Sequence, residues 1–125
     1  MFFIDFQSRT PVFEQIINQV ENFVLAGVLH PDDKLPSIRE LTAQIGVNPN
    51  TIQKAYNELD SRGIIISVNG RGCFISKNVY EVLKKRAEAR LPDFESSALA
   101  LFRAGIDRET LINVISKATQ ASENK

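Results

Sequence analysis

The chain has 125 residues, of which 43% are hydrophobic and 24% are charged; these values are typical of one soluble globular domain with at most a small appendage. Its 15 basic and 15 acidic residues give a formal net charge of zero, which alone argues against a nucleic-acid partner, since such partners select for basic surfaces. One cysteine and one histidine exclude an intrachain disulfide framework and a His/Cys zinc site, so we expect no metal and no cofactor. No signal peptide and no run of about 20 apolar residues is present, so we expect a cytoplasmic protein without a membrane partner.

The first predicted elements are an N-terminal arm and a helix. Residues 2–6 are aromatic and β-prone, which suits a brief strand or a packed arm. Thr10 and Pro11 form a typical helix start, with a capping hydroxyl and then proline at the first helical position, and Gly27 is a typical helix end. The apolar residues between them recur at helical spacing and predict a helix over residues 11–26.

Two short helices are predicted next. Ser37 and Glu40 form a capping box, and Gly46 ends this helix. Asn48 followed by Pro49 repeats the cap-plus-proline pattern a few residues later, and that helix continues to Gly63. Two short helices joined by a tight glycine-containing turn are typical of a helix-turn-helix.

A β-hairpin follows the second helix directly. Residues 64–68 are rich in isoleucine and valine, residues 71–75 form the return strand, and Asn69-Gly70 predicts a type I′ turn with positive φ at both positions. A hairpin after a helix-turn-helix is a winged helix. We therefore predict a mainly α fold with a small β-hairpin, in which residues 1–77 form a winged helix-turn-helix DNA-binding domain.

The C-terminal residues 78–125 are predicted to be an α-helical dimerisation region of two helices. Asn78 caps a helix that Pro92 kinks or breaks, and Asp107 caps the last helix. A helical hairpin of this length is marginal alone, so pairing with a second copy of the chain is expected to bury its apolar residues. The predicted dimerisation residues are Val82, Leu83, Phe94, Leu101, Phe102 and Leu111.

The second helix of the helix-turn-helix has a polar stripe rich in amides. Amide side chains can bind adenine bidentately in the major groove, and a lysine can contact guanine or phosphate. Free backbone N–H groups at the start of this helix also suit a phosphate oxygen. For an isolated helix such a stripe is more often a solvated face, but the helix-turn-helix spacing and the wing favour DNA binding. The candidate residues are Asn48, Asn50, Thr51, Gln53, Lys54 and Asn57.

Two arginines outside this helix are further candidates. Arg39 lies near the start of the preceding helix, where it could contact a phosphate or a base; alternatively it forms a surface ion pair with Glu40 or Asp60. Arg71 lies at the wing tip beside Gly70, where it could enter a narrow minor groove or could be an ordinary solvated turn residue.

Cys73 and His30 give weaker signals. Cys73 is interpreted as a small buried apolar residue rather than a redox sensor, and His30 lies in a loop beside acidic residues. With one histidine in a loop, no catalytic arrangement of Ser/His/Asp or Cys/His type is plausible. We therefore predict that the protein is not an enzyme.

The sequence resembles the GntR family of bacterial transcriptional regulators. The resemblance begins at residues 35–41 (LPSIREL) and 45–52 (IGVNPNTI) and continues through residues 55–59 (AYNEL) and 70–75 (GRGCFI), so that it covers about residues 10–76. Residues 48–51 (NPNT) and the short C-terminal region resemble the YtrA-type subfamily.

This resemblance implies a homodimer that binds a double-stranded DNA operator as a transcription factor, commonly a repressor. It assigns DNA contacts to Arg39 in the second helix and to Gly70 in the wing. In the recognition helix it assigns them to Asn48, Asn50, Thr51 and Gln53. The chain departs from many relatives at Pro49 and Gln53, where they carry arginine.

Two questions stay open at this level. The winged helix could instead be a protein-interaction module that binds no DNA, which the zero net charge slightly favours. A crevice between the winged domain and the C-terminal helices could hold a small-molecule effector, which the sequence does not identify. The charge is unevenly distributed, because residues 36–77 carry five basic and three acidic residues, and this predicts a mildly basic DNA-binding surface.

Overall fold

The computed structural model describes residues 1–123, which form a mainly helical protein with one antiparallel hairpin. This confirms the predicted fold class. In chain order the elements are α1 Val12–Leu25, α2 Ile38–Ile45, α3 Pro49–Ser61, β1 Ile65–Val68, β2 Gly72–Ile75, α4 Val79–Glu88, α5 Leu91–Arg103 and α6 Arg108–Glu123.

The chain divides into two compact units, the first comprising residues 1–85 and the second beginning at Arg86. The first unit contains the whole winged helix and the start of α4, whose Val79 and Leu83 are buried. The boundary thus lies eight residues beyond the predicted boundary at residue 77, because apolar residues of α4 complete the core of the first unit. None of the helices formed by residues 1–123 is long and apolar enough to cross a membrane.

The core of the first unit consists almost entirely of aliphatic side chains from α1 to α4, the hairpin, the N-terminal arm and the loops that connect them. The buried residues of α1 and α3 repeat at helical spacing, and α2 contributes buried Leu41 flanked by half-buried Ile38 and Ile45, so each helix presents one apolar stripe to the core and a polar face to solvent. This packing fixes α3 against α1 and α2. The side chains with no exposed surface are those of Ile16, Val20, Leu41, Ile52, Ala55, Leu59, Ile64, Ile65, Ile75 and Val79.

The predicted helix-turn-helix is present, and its ends form as the sequence indicates. The backbone N–H of Glu40 donates to Ser37 Oγ at 3.0 Å, and Ser37 N–H donates to Glu40 Oε1 at 3.1 Å, which completes the capping box. Gly46 ends α2 in the left-handed conformation with φ +65°. Asn48 caps α3, and its Oδ1 accepts from Asn50 N–H at 2.8 Å.

The hairpin pairs Ile65 with Ile75 and Val68 with Gly72, which leaves a loop of three residues. In that loop φ is positive at Gly70 but not at Asn69, and Arg71 N–H donates to Val68 O at 2.9 Å. The predicted type I′ turn is therefore wrong, because the longer loop needs only one left-handed residue. Residues 32–35 flank the other edge of β2, where Leu35 N–H donates to Cys73 O at 2.9 Å.

The N-terminal arm is held on α1 by two glutamine side chains. Gln15 Oε1 accepts from Asp5 N–H at 2.9 Å while Gln15 Nε2 donates to Asp5 O at 2.9 Å. Gln19 makes the same pair of bonds with the N–H and carbonyl of Phe3. The predicted Thr10 cap is wrong, because α1 begins at Val12 after Pro11 without a side-chain cap, and Thr10 instead presents its carbonyl to Gln15 at 2.8 Å.

The second unit contains α5 and α6. Pro92 lies in the first turn of α5, where proline is tolerated because no helical partner is needed for its missing N–H. The predicted break therefore occurs before this residue rather than at it, since α4 ends at Glu88. Asp107 Oδ1 accepts from Thr110 N–H at 2.9 Å at the start of α6, as its predicted capping role requires. Neither α5 nor α6 has a buried residue.

Candidate nucleic-acid interface

One face of α3 is polar and exposed. Asn50, Gln53, Lys54 and Asn57 lie on this face and are exposed, whereas Thr51 is half-buried. The opposite face is anchored in the core by Ile52, Ala55, Tyr56 and Leu59. The solvent face of α3 is thus presented on a rigid support, as base contacts in a DNA groove require.

A groove of about 440 Å³ lies between the start of α2, the polar face of α3 and the hairpin. It brings together three of the predicted site residues, Arg39, Gln53 and Asn57. Its other lining residues are Pro36, Ser37, Ile38, Tyr56, Ser67, Gly72 and Cys73. The remaining predicted residues lie outside this lining: Asn48, Asn50 and Thr51 at the start of α3, Lys54 on its flank, and Gly70 and Arg71 at the hairpin tip.

Tyr56 joins the two helices of the helix-turn-helix across this groove. Its hydroxyl donates to Pro36 O at 2.7 Å, and the residue is only 3% exposed. Burial raises the pKa of the Tyr56 phenol above its ordinary value, and the neighbouring Cys73 and Glu40 act in the same direction. Periodicity predicts that Tyr56 is buried, but a bond across 20 residues of sequence cannot be read from that pattern.

Gln53 and Asn57 are joined by a side-chain hydrogen bond. Gln53 Nε2 donates to Asn57 Oδ1 at 2.8 Å, one helical turn along α3. The two amides therefore act as one hydrogen-bonded pair on the groove wall.

Lys54 lies toward α1 rather than toward the groove. Its Nζ is 3.9 Å from the centroid of the Phe13 ring, which is within the range of a cation–π contact. The sequence gives no indication of this partner, because Phe13 reads only as an apolar position of α1.

Arg39 is exposed, and among residues 1–123 no carboxylate lies within ion-pair distance of its guanidinium. Glu40 is engaged in the capping box, where the hydrogen bond from the Ser37 backbone holds the pKa of the Glu40 carboxyl below its usual value. Asp60 accepts a bond of 3.4 Å from Ser67 Oγ. Neither alternative partner for Arg39 is therefore paired with it.

The hairpin tip carries Arg71 on an exposed turn, with Gly70 at φ +77° and Gly72 at φ +111°. A Cβ at Gly72 would lie 3.1 Å from Cε of Lys34, so glycine allows the lysine to lie against the hairpin. Lys34 is not among the predicted site residues, because it belongs to a loop and only its pairing with Phe74 of β2 brings it to the wing.

Cys73 and His30 occupy ordinary environments. Cys73 is half-buried, with Sγ 3.5 Å from Ser67 Oγ, and His30 Nδ1 lies 3.3 Å from Asp33 Oδ2. Within residues 1–123, no three His, Cys, Asp or Glu side chains cluster as a metal site would require.

An α2–turn–α3 unit with an exposed polar recognition helix and a wing defines a winged-helix DNA-binding protein. The family model for bacterial regulatory proteins of the gntR family matches residues 13–75, which is half of the chain. The chain belongs to this family of DNA-binding transcriptional regulators.

Comparisons with individual proteins agree with this family. Over 83 residues the chain is 51% identical to the HTH-type transcriptional repressor YtrA of Bacillus subtilis, and the match covers 66% of this chain but 64% of the repressor. A transcriptional regulator from Oenococcus oeni has a similar crystal structure (TM-score 0.75, 30% identity), with 93% of this chain and 97% of that chain covered. The AraR DNA-binding domain in complex with operator ORX1 matches with TM-score 0.54 and 34% identity over 60% of this chain and 93% of that chain.

Proposed function

We propose that this protein represses transcription by binding a two-fold symmetric operator as a homodimer. The observation that carries the proposal is the groove that Arg39 lines together with the hydrogen-bonded amides of Gln53 and Asn57. A DNA backbone along α2 and a major groove over α3 would be contacted by these same residues.

The proposed roles follow from position. Exposed Arg39 and Arg71 supply positive charge for phosphate or groove contacts, and Lys54, which lies against Phe13, adds positive charge at the flank of α3. The start of α3, formed by Asn48, Asn50 and Thr51, supplies short polar side chains, while the N–H groups of Asn50 and Thr51 are bonded to Asn48. Gly70 allows the wing backbone to approach the DNA closely.

The proposed dimer interface is the second unit. Two helices without a buried residue cannot stabilise themselves, and below about 40 residues oligomerisation is a usual solution. An apolar groove of about 330 Å³, lined by Phe94, Leu101 and Leu111 among others, would accept apolar side chains of a second copy. Phe102, 52% exposed, lines the neighbouring surface.

The dimerisation prediction needs correction at two residues. Leu83 is buried in the core of the first unit, and Val82 is half-buried and packs against that core. Their burial therefore requires no partner chain, and the proposal rests on Phe94, Leu101, Phe102 and Leu111.

A small-molecule effector stays a prediction. We assign the apolar groove of the second unit to the partner chain, since its lining is nearly all aliphatic and aromatic and offers few polar groups to orient a small ligand.

Selection of bound sequences from random duplex DNA tests the DNA-binding part. We expect an enriched two-fold motif, a steep loss of affinity with added salt, and strongly weakened binding by Arg39→Ala and Asn50→Ala. If no duplex is enriched, or if both variants bind like the wild type, the proposed surface is wrong. Binding to a protein but to no duplex would favour the interaction-module alternative.

Light scattering at micromolar concentration tests the dimer. Phe102→Asp adds a charge to the exposed apolar face of α5 without touching a buried core, and it is expected to shift the protein to monomer. Ser96→Asp adds the same charge to an exposed polar position of α5 and should leave the dimer intact. A monomeric wild-type protein contradicts the proposal.

A further inference from the structure

The Gln53 side chain is held in a defined orientation. Its Nε2 donates one hydrogen to Asn57 Oδ1 at 2.8 Å, and both residues line the groove of α2, α3 and the hairpin. A free surface glutamine has three side-chain torsions, whereas this bond restricts where the amide plane lies.

The hydrogen-bonding groups of the Gln53 amide that are not used by Asn57 form a specific pattern. A glutamine amide has two N–H donors and an acceptor oxygen. With one N–H given to Asn57, Gln53 retains one donor and one acceptor. In the major groove adenine offers an acceptor at N7 and a donor at N6, so it matches this pair, whereas guanine offers two acceptors at N7 and O6.

The surroundings of Gln53 favour adenine over guanine as well. Guanine is bound best by a cationic side chain with two or more donors. The only basic residue in the first three turns of α3 is Lys54, and it is held 3.9 Å from the Phe13 ring centroid on the side of α1. Arg39 also lines the groove, but it belongs to α2, along which the DNA backbone lies in the proposed docking, and not to the helix that carries Gln53.

We propose that Gln53 recognises an adenine in each operator half-site by a bidentate hydrogen bond, with Asn57 as the residue that positions its amide. This specificity rests on the proposed DNA-binding function and names the base that Gln53 contacts.

A base-analogue scan of the selected operator tests the contact. Each adenine of the half-site is replaced in turn by 7-deazaadenine, which lacks the N7 acceptor. At one position we expect an affinity loss of about 3- to 10-fold for the wild type, the value of one hydrogen bond. Replacing that A·T pair by G·C should cost about 5- to 140-fold.

Variants of Gln53 assign the effect to this side chain. Gln53→Ala should abolish the difference between adenine and 7-deazaadenine at that position while preferences elsewhere in the site persist. Gln53→Arg should shift the preference there toward guanine. Gln120→Ala, a matched change at an exposed residue of α6, should retain the full wild-type discrimination.

A double-mutant comparison isolates the positioning role of Asn57. Asn57→Ala should reduce the discrimination against 7-deazaadenine in the wild-type background and have no effect on it in the Gln53→Ala background. A purely structural role of Asn57 would lower affinity equally for both bases.

The outcomes distinguish failure of the proposed function from failure of the adenine contact. Absence of any enriched duplex overturns the proposed function. The adenine contact alone is overturned if the protein binds a specific operator but its affinity does not depend on N7 of any adenine. It is also overturned if this N7 dependence is equal in the wild type and Gln53→Ala.

Discussion

The bond between Tyr56 and the turn before α2 allows a direct test of what fixes the helix-turn-helix geometry. Tyr56→Phe removes one hydroxyl and leaves the ring in place. The lost bond is 2.7 Å long and its donor residue is 3% exposed, but the acceptor Pro36 is only half-buried. Water can therefore reach the orphaned carbonyl, so we expect a loss of about 1 kcal/mol in the free energy of unfolding, at the low end of the cost of an unmade hydrogen bond.

Urea denaturation at matched protein concentration measures this difference, because dimer formation would make stability depend on concentration. In thermal melts the same loss corresponds to a shift of roughly 4 °C for a protein of this size. The chain has one other tyrosine, Tyr80, which is 49% exposed on α4. Tyr80→Phe is the matched control and should change stability by less than about 0.5 kcal/mol.

Tyr56→Phe is also expected to affect function. Pro36 immediately precedes the cap of α2, so loss of the bond loosens α2 relative to α3 and should weaken operator binding as well as stability. If Tyr56→Phe unfolds at the same urea concentration as Tyr80→Phe, the bond contributes nothing and the proposed fixing of the two helices is refuted.

Three further predictions concern single interactions. Ser37→Pro removes the backbone N–H that donates to the Glu40 carboxyl, at a position whose φ of −63° proline can adopt. It should raise the pKa of Glu40 toward 4.5, measured by NMR titration of its carboxyl; an unchanged pKa would contradict the assigned cause. Because the phenol of Tyr56 has a raised pKa in the fold, stability should be full below about pH 10, the unfolded value, and fall as the pH rises above it; Tyr56→Phe should remove this loss, as followed by urea denaturation across pH. Arg62 bonds both Glu58 at 2.9 Å and Glu21 at 3.1 Å in a half-buried site, so Arg62→Met should cost about 1 kcal/mol, less at 1 M salt, and a salt-independent cost would point to packing instead.

The helical part of the fold was predictable because its signals are local. The capping box of Ser37 and Glu40, the Asn48 cap and the glycine after α2 each fix a helix end through bonds among neighbouring residues. Apolar spacing then indicates the buried face of each helix. These features are sufficient to predict a helix-turn-helix.

The errors arise where distant residues decide the outcome. Thr10 is a good cap by sequence, yet its carbonyl is bonded by Gln15, which also holds the arm. Leu83 lies in an apolar stripe that was predicted to form the dimer interface, but in the structure it is buried in the core of the first unit. Periodicity identifies an apolar face and not the surface that covers it.

The candidate site was predicted as a set of exposed positions but not as an arrangement. Helical spacing suffices to bring Gln53 and Asn57 to one face of α3. Their mutual hydrogen bond depends on side-chain conformation. The approach of Lys34 to the wing and the contact of Lys54 with Phe13 depend on residues that lie 38 or more positions apart in the sequence.

The side-chain amides of Gln15 and Gln19 on α1 bond the backbone of the N-terminal arm as a neighbouring β-strand would. Four helical residues advance about 6 Å, whereas two strand residues advance about 6.7 Å, so Gln15 and Gln19 come close to the repeat of the extended chain. The mismatch grows by about 0.7 Å with each further pair. At the next helical position, residue 23, a phenylalanine packs edge-on against Phe2 with ring centroids 5.4 Å apart. In this protein the helix therefore pairs with the extended arm over two repeats, and the next contact is apolar packing, which tolerates the accumulated offset.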